Sequence, residues 1–277
     1  MKKKVIGWNI NQRSGMADSI PQFVIDELID QNADIIVLTE LFKNRTIEYF
    51  WNEMKRAGYS FAVTQNDGTN EVGILWKKDE FKLSAVDDSV VTKMDNNNPN
   101  LLLVDLLDKF GRIFTVVGFR IRMVDYIERV EELEIVVEKA NAKKNPILMI
   151  TDCNNLRRGT IEKNWNLDVI DKILSSGDFE RHTPFGQSIY AENANGGYAY
   201  EFAEDHIIVR GLKVDLGNYD RAFVTRDICA YPWGKDFQRY DEINGCRQSI
   251  QPGFPDHAIV KGYISLKENE KGRGEDE

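Results

Sequence analysis

The chain is poor in cysteine: three in 277 residues, at positions 153, 229 and 246. They form no CxxC pair and cannot all be paired with one another, which leaves no disulfide framework and no zinc signature and suits a reducing compartment. Positive charge is also short. Lys and Arg number 36 against 45 Asp and Glu, a net charge of −9, which argues against a general, non-specific grip on nucleic acid through phosphate neutralisation while leaving room for a local basic groove. No apolar run approaches the roughly 20 residues of a membrane span. The basic start, Met1 to Lys4, is followed by Asn9, Asn11, Gln12 and Arg13 instead of an apolar stretch, so no signal peptide is expected. Internal repeats are absent, and no Pro/Gly/Ser-rich linker divides the chain. The expectation is one cytoplasmic, monomeric domain over residues 1–266, without membrane contact. The charged tail 267–277 is expected to be disordered.

What is present is a set of short apolar runs interleaved with amphipathic stretches. Lys4–Asn11, Ala33–Glu40, Tyr59–Thr64, Glu71–Lys77, Phe81–Val91, Leu101–Leu107, Arg112–Ile121, Pro146–Asp152, Ala203–Arg210 and the run leading to Ser265 read as strands. Leu212–Leu216 reads as a hairpin partner of Ala203–Arg210. Helical spacing of apolar residues marks Ser19–Gln31, Arg45–Arg56, Asp125–Ala142 and Asn164–Ser175. In the first, Ser19 suits the cap and Pro21 the first turn. In the third, Ile127, Val130, Leu133, Val136, Val137 and Ala140 form the expected buried stripe. Residues 181–197 and 229–253 read as long, turn-rich segments. Strands alternate with helices, yet hairpins occur in both halves, so a layered α/β sandwich fits better than a purely parallel wound sheet.

The stretch Pro146-Ile147-Leu148-Met149-Ile150-Thr151-Asp152-Cys153-Asn154 organises the rest. It suits a strand buried on both faces that ends in a carboxylate and an amide two residues apart. If the chain stays extended, Asp152 and Asn154 face one spot; an Asx-turn starting at Asp152 fits the same residues. Asn9 and Asn11 end the first strand in the same way. Glu40 ends the second, Asp205 begins another, and Asp256 and His257 precede the last. Acids, amides and an imidazole collected at strand ends form an oxygen-rich set suited to magnesium or manganese. A hard cation there would stabilise charge on an attacked phosphate and acidify a water.

The order Trp8-Asn9-Ile10-Asn11, an apolar run ending in Glu40, a run ending in Asp152-Cys153-Asn154, then Asp205-His206-Ile207 and a terminal Asp256-His257 resembles the endonuclease/exonuclease/phosphatase superfamily across nearly the whole chain. Val72–Lys78 also resembles a strand common there. The resemblance implies a DNase I-like fold, a four-layered α/β sandwich of two packed mixed β-sheets flanked by helices. It implies that Glu40 is the central magnesium ligand, with Asn9, Asn11 and Asp256 in or near the metal shell. Asp152 would orient or deprotonate the attacking water, Asn154 would hold the phosphate and Asp152, and His257, oriented by Asp205, would contact the scissile phosphate.

Three motifs depart from the family's pattern. Thr151-Asp152-Cys153-Asn154 replaces its Gly-Asp-Phe-Asn, Pro255 replaces the serine before Asp256-His257, and Gly118-Phe119-Arg120 replaces an Asn-x-His. Arg120 or Arg122 is then a candidate for phosphate binding, as is Arg157, which with Arg158 follows the Asp-x-Asn closely. The expected activity is magnesium-dependent hydrolysis of a phosphate ester, with a nucleic-acid phosphodiester ahead of a small phosphorylated molecule such as an inositol phosphate. A relative that binds phosphate without turnover is the alternative from another class.

Overall fold

The computed structural model describes residues 2–12, 17–64, 71–87, 100–156, 165–189, 202–225, 242–243, 246–247, 253 and 255–266. The expected tail 267–277, the turn 65–70, residues 95–99, Arg157, Arg158 and most of the two turn-rich segments lie outside the described residues. The elements in chain order are β1 (Lys3–Asn9), α1 (Gln22–Gln31), β2 (Ile35–Leu41), α2 (Ile47–Arg56), β3 (Tyr59–Val63), β4 (Glu71–Lys77), β5 (Phe81–Asp87), β6 (Asn100–Asp108), β7 (Ile113–Arg120), α3 (Tyr126–Asn141), β8 (Ile147–Asp152), α4 (Leu167–Leu174), β9 (Glu180–His182), β10 (Asp205–Arg210), β11 (Leu212–Leu216), β12 (Glu242–Ile243), β13 (Cys246–Arg247) and β14 (Val260–Leu266).

Two six-stranded sheets result, ordered β11-β14-β1-β2-β4-β3 and β5-β6-β7-β8-β10-β9. Each is mixed: β1 and β2 run parallel in the first, β7 and β8 in the second. Strand alternation sorts the side chains into layers. Val5, Ile35, Val37, Val116, Leu148, Ile150 and Ile207 fill the space between the sheets. Ile6, Trp8, Ile36 and Leu38 face outward under α1 and α2, and Val117, Phe119, Met149 and Ile208 face outward under α3 and α4. This is the expected four-layered sandwich. The sheets approach closely where Gly118 sits: a Cβ there would lie 2.6 Å from Val72 and 2.8 Å from Val37. No helix among the described residues is long and apolar enough to cross a membrane.

Several local expectations change. β11 does not pair with β10; it pairs antiparallel with β14 in the other sheet. Gly211, at φ 73°, turns the chain from one sheet to the other, a left-handed conformation that costs glycine little. Arg181 and His182, expected to open a turn-rich segment, lie in the edge strand β9, which pairs with β10. Helix α1 starts later than Ser19, with Pro21 as its N-cap residue and no side-chain cap. On α3 the expected Ile127 is 66% exposed, while Arg129 and Glu132 are buried. These two charges satisfy groups beneath the helix, as described below, whereas Ile127 lies in the first turn, beyond the edge of the packed face.

Candidate active site

The same alternation places the candidate residues. On the second sheet, Arg120 of β7 is in register with Asp152 of β8, and Asp152 with Asp205 of β10. Asp152 and Asp205 share the parity of Ile150 and Ile207, and Arg120 that of Val116, so this row points between the sheets at one end of the sandwich. On the first sheet Asn9 shares the parity of Val5 and meets the row: its Nδ2 donates to Asp152 Oδ2 at 2.9 Å. His257 closes the group, with Nδ1 2.7 Å from Asp205 Oδ2. Its carbonyl accepts from Trp8 Nε1 at 2.9 Å, which fixes the backbone before β14.

Glu40 reaches this end against its strand parity. Strict alternation would send it outward with Ile36 and Leu38. The register of β2 shifts between Leu38 and Leu41, and Glu40 has φ 50°. Such an irregularity re-aims a side chain. Glu40 Oε1 then lies 2.7 Å from Arg120 Nη2. Asn11 and Asn154 also have left-handed backbones, at φ 52° and 48°. The extended geometry considered for Asn9/Asn11 and Asp152/Asn154 is therefore replaced by two matching turns. Asn11 N–H donates to Asn9 Oδ1 at 2.9 Å, and Asn154 N–H donates to Asp152 Oδ1 at 2.9 Å. The Asx-turn and the site are thus compatible: each turn locks the orientation of the polar group at its strand end. Asn154 is drawn partly away, its Nδ2 donating to Ile121 O at 2.7 Å.

The two arginines diverge. Arg120 lies between Glu40 and Asp152, its Nε 3.3 Å from Asp152 Oδ2, and those carboxylates outweigh the cost of burial and raise its pKa. Arg122 instead pairs with Glu132 of α3, its backbone N–H donating to Glu132 Oε2 at 2.9 Å. Burial raises the Glu132 pKa while Arg122 opposes that rise.

Three residues of this region carried no expected role. Glu204, next to Asp205, is buried, with Oε2 3.7 Å from His257 Nε2; the readable signal was a second acid at the same strand start. Arg129 donates to Asn154 O at 2.9 Å and to Val124 O at 2.7 Å, holding the chain beyond β8 from below. Its place on the buried stripe of α3 is the trace in the sequence. The backbone N–H of Gln12 donates to Glu40 O at 3.0 Å, tying the two strand ends together. His206 faces the outer layer, between Thr183 Oγ1 at 2.8 Å and Asn155 Oδ1 at 2.9 Å, and takes no part. Cys153 packs under α3 and α4, and burial pushes its thiol pKa far up, which makes it a packing residue and not a nucleophile.

The electrostatics are dominated by acid. Burial would lower the His257 pKa, but Asp205, Asp152 and Asp256 outweigh it and raise it well above its ordinary value. Burial raises Glu204 well above the usual carboxylate range, with Asp152, Asp205 and Asp256 adding to the rise. Burial likewise pushes Asp205 up to about 6, against the pull of His257. A field that favours a proton on His257 favours any cation beside it. The implied magnesium can be tested against this arrangement. At Glu40, the implied central ligand, the Arg120 guanidinium lies against Oε1. Asp152, Glu204 and His257 present ligand atoms within 4.8 Å of one another.

No sequence-family profile matches the chain, and no curated protein matches it in sequence. Solved structures do match in fold. An endonuclease/exonuclease/phosphatase family protein from Bacteroides thetaiotaomicron superposes with a TM-score of 0.64 at 17% identity, covering 99% of both chains. A mannosyl-6-phosphatase from the same organism gives 0.62 at 18%, covering 95% of this chain and 100% of that one. D. rerio TDP2, complexed with a single-strand DNA product, gives 0.60 at 16%, covering 96% and 99%. The chain has the fold of the endonuclease/exonuclease/phosphatase proteins.

Proposed function

We propose that this chain hydrolyses phosphate esters, with water as the nucleophile, at the end of the sandwich where Arg120, Asp152 and Asp205 meet Asn9, Glu40 and His257. The observation that carries this reading is the in-register row of Arg120, Asp152 and Asp205, with His257 held 2.7 Å from Asp205. Asp152 orients a water and accepts its proton. Its carboxylate is fixed for that task by Asn9 at Oδ2 and by the Asn154 N–H at Oδ1. Asp205 sets the tautomer and direction of His257, which turns Nε2 towards the phosphate. Arg120 brings a delocalised cation to the same place, where the superfamily pattern has a histidine. Asn154 holds Asp152 through its backbone N–H, Asp256 adds to the negative charge beside His257, and the Asn11 N–H fixes Asn9 at the end of β1.

Five carboxylates, Glu40, Asp152, Glu204, Asp205 and Asp256, surround two cationic side chains. An anionic substrate therefore needs a divalent ion, magnesium or manganese, which when bound supplies charge stabilisation at the phosphate oxygens and a more acidic water. A phosphodiester in nucleic acid is the preferred substrate class, because Arg120 stands where phosphatase-type relatives carry a histidine. The net charge of −9 favours the second reading, a small phosphorylated molecule, over a long polyanion. Single- and double-stranded DNA, RNA, abasic DNA and inositol phosphates, assayed under one magnesium condition, separate the two. Hydrolysis of at least one member, lost on chelation, is the expected result. Binding of substrate analogues with no turnover of any member identifies an inactive phosphate-binding relative instead.

A further inference from the structure

Glu204 is 4% exposed and firmly placed. Its backbone N–H donates to Ser188 Oγ at 2.7 Å, and its carbonyl accepts from Cys153 N–H at 2.7 Å. The side chain is thereby directed to the end of β8, where Oε2 has no hydrogen-bond donor. A buried carboxylate oxygen without a donor is costly, and here the facing imidazole Nε2 of His257 stands 3.7 Å off, beyond hydrogen-bond reach. The ligand atoms of Asp152, Glu204 and His257 lie within 4.8 Å of one another. An ion about 2.1 Å from each donor sets neighbouring donors roughly 3.0–3.6 Å apart, so binding would draw these side chains together by about an ångström. His257 also has the outer partner typical of a metal-binding imidazole, with Nδ1 held by the Asp205 carboxylate and Nε2 lying 3.3 Å from Asn9 Nδ2 and 3.7 Å from Glu204 Oε2. Glu40, by contrast, has Arg120 Nη2 at 2.7 Å.

We propose that the divalent cation of this chain is held by Asp152, Glu204 and His257, and that Arg120 occupies the cation position on Glu40. The assignment rests on the phosphoesterase reading above and relocates its ion. Two carboxylates and one imidazole suit manganese better than magnesium, which prefers oxygen donors alone. His257 then meets the phosphate through the ion, and Arg120 meets it directly.

The test is manganese binding to the full chain, followed by electron paramagnetic resonance of the free ion, for the unaltered protein and for Glu204→Gln, Glu204→Asp and Glu40→Gln. Circular dichroism confirms folding of each. One manganese site is expected in the unaltered protein, weakened at least tenfold in either folded Glu204 variant and less than threefold in Glu40→Gln. The proposal is overturned by unchanged binding in both Glu204 variants, by an equal or larger loss in Glu40→Gln, or by no binding to the unaltered protein at millimolar manganese. Hydrolysis of the substrate panel by the same preparation reports separately on the phosphoesterase reading: turnover that persists alongside any of those results leaves the activity standing and removes only the relocated ion.

Discussion

Asp152→Asn lowers phosphate-ester hydrolysis by about a thousandfold or more, within the range spanned by loss of a positioned proton acceptor. The substitution keeps the volume of a side chain that is fully buried and keeps an oxygen for the Asn154 N–H. It removes the negative charge and sets an amide donor against Asn9 Nδ2 and the Arg120 guanidinium. The loss falls on kcat more than on KM if Asp152 acts on the water and not on the bound ester. His257→Ala removes the group that Asp205 orients, and a loss of at least about a hundredfold follows from the range for removing one donor aimed at developing charge. Steady-state rates with thermal unfolding on the same samples check both. Unchanged rates in the two folded variants would sink the assignment of this end of the sandwich.

Arg120→Met is the substitution with the largest expected effect on stability. The guanidinium lies between Glu40 and Asp152, with its side chain 12% exposed and theirs 11% and 0%. Removing it strands two carboxylates, and breaking a buried pair in this way costs about 3–5 kcal/mol. A Glu40→Leu change added to Arg120→Met recovers part of the loss, because it removes one stranded charge; the recovered energy is the non-additive part of the double-mutant cycle. Manganese should also stabilise Arg120→Met more than it stabilises the unaltered protein, since Glu40 then becomes open to an ion. Denaturant unfolding with and without the ion measures all of this. A loss below about 1 kcal/mol would mean that the pair behaves as an exposed one.

Much of this was legible because period-2 patterning is a strong signal. The apolar runs fixed where β1, β2, β7, β8 and β10 lie, and the polar residues at their ends are the ones that meet. What patterning does not carry is the pairing of distant strands. β11 follows β10 by one residue yet belongs to the other sheet, because Gly211 reverses direction where Leu212 packs into the inter-sheet core. Nor does patterning report backbone conformation at a strand end. Asn11, Glu40 and Asn154 all turn left-handed, and for Glu40 this reverses the face its position predicts. Asn154 tolerates such backbone through its short polar side chain; a glutamate rarely adopts it, so no local signal marked it. The division of labour between the arginines was equally hidden. Arg122 is held by Glu132 and Arg120 by Glu40, a choice made by the position of α3 and not by residue type. Glu204 escaped notice because an acid at a strand start reads as solvated until the fold buries it.

Hydrolysis in oxygen-18 water tests the central claim most directly. With a phosphate ester from the active class, direct attack of a water handled by Asp152 predicts one labelled oxygen in the phosphate product and none in the alcohol fragment, with labelling slowed in Asp152→Asn in step with the rate. Label in the alcohol fragment, or labelled phosphate formed at an unchanged rate in folded Asp152→Asn, would contradict the account.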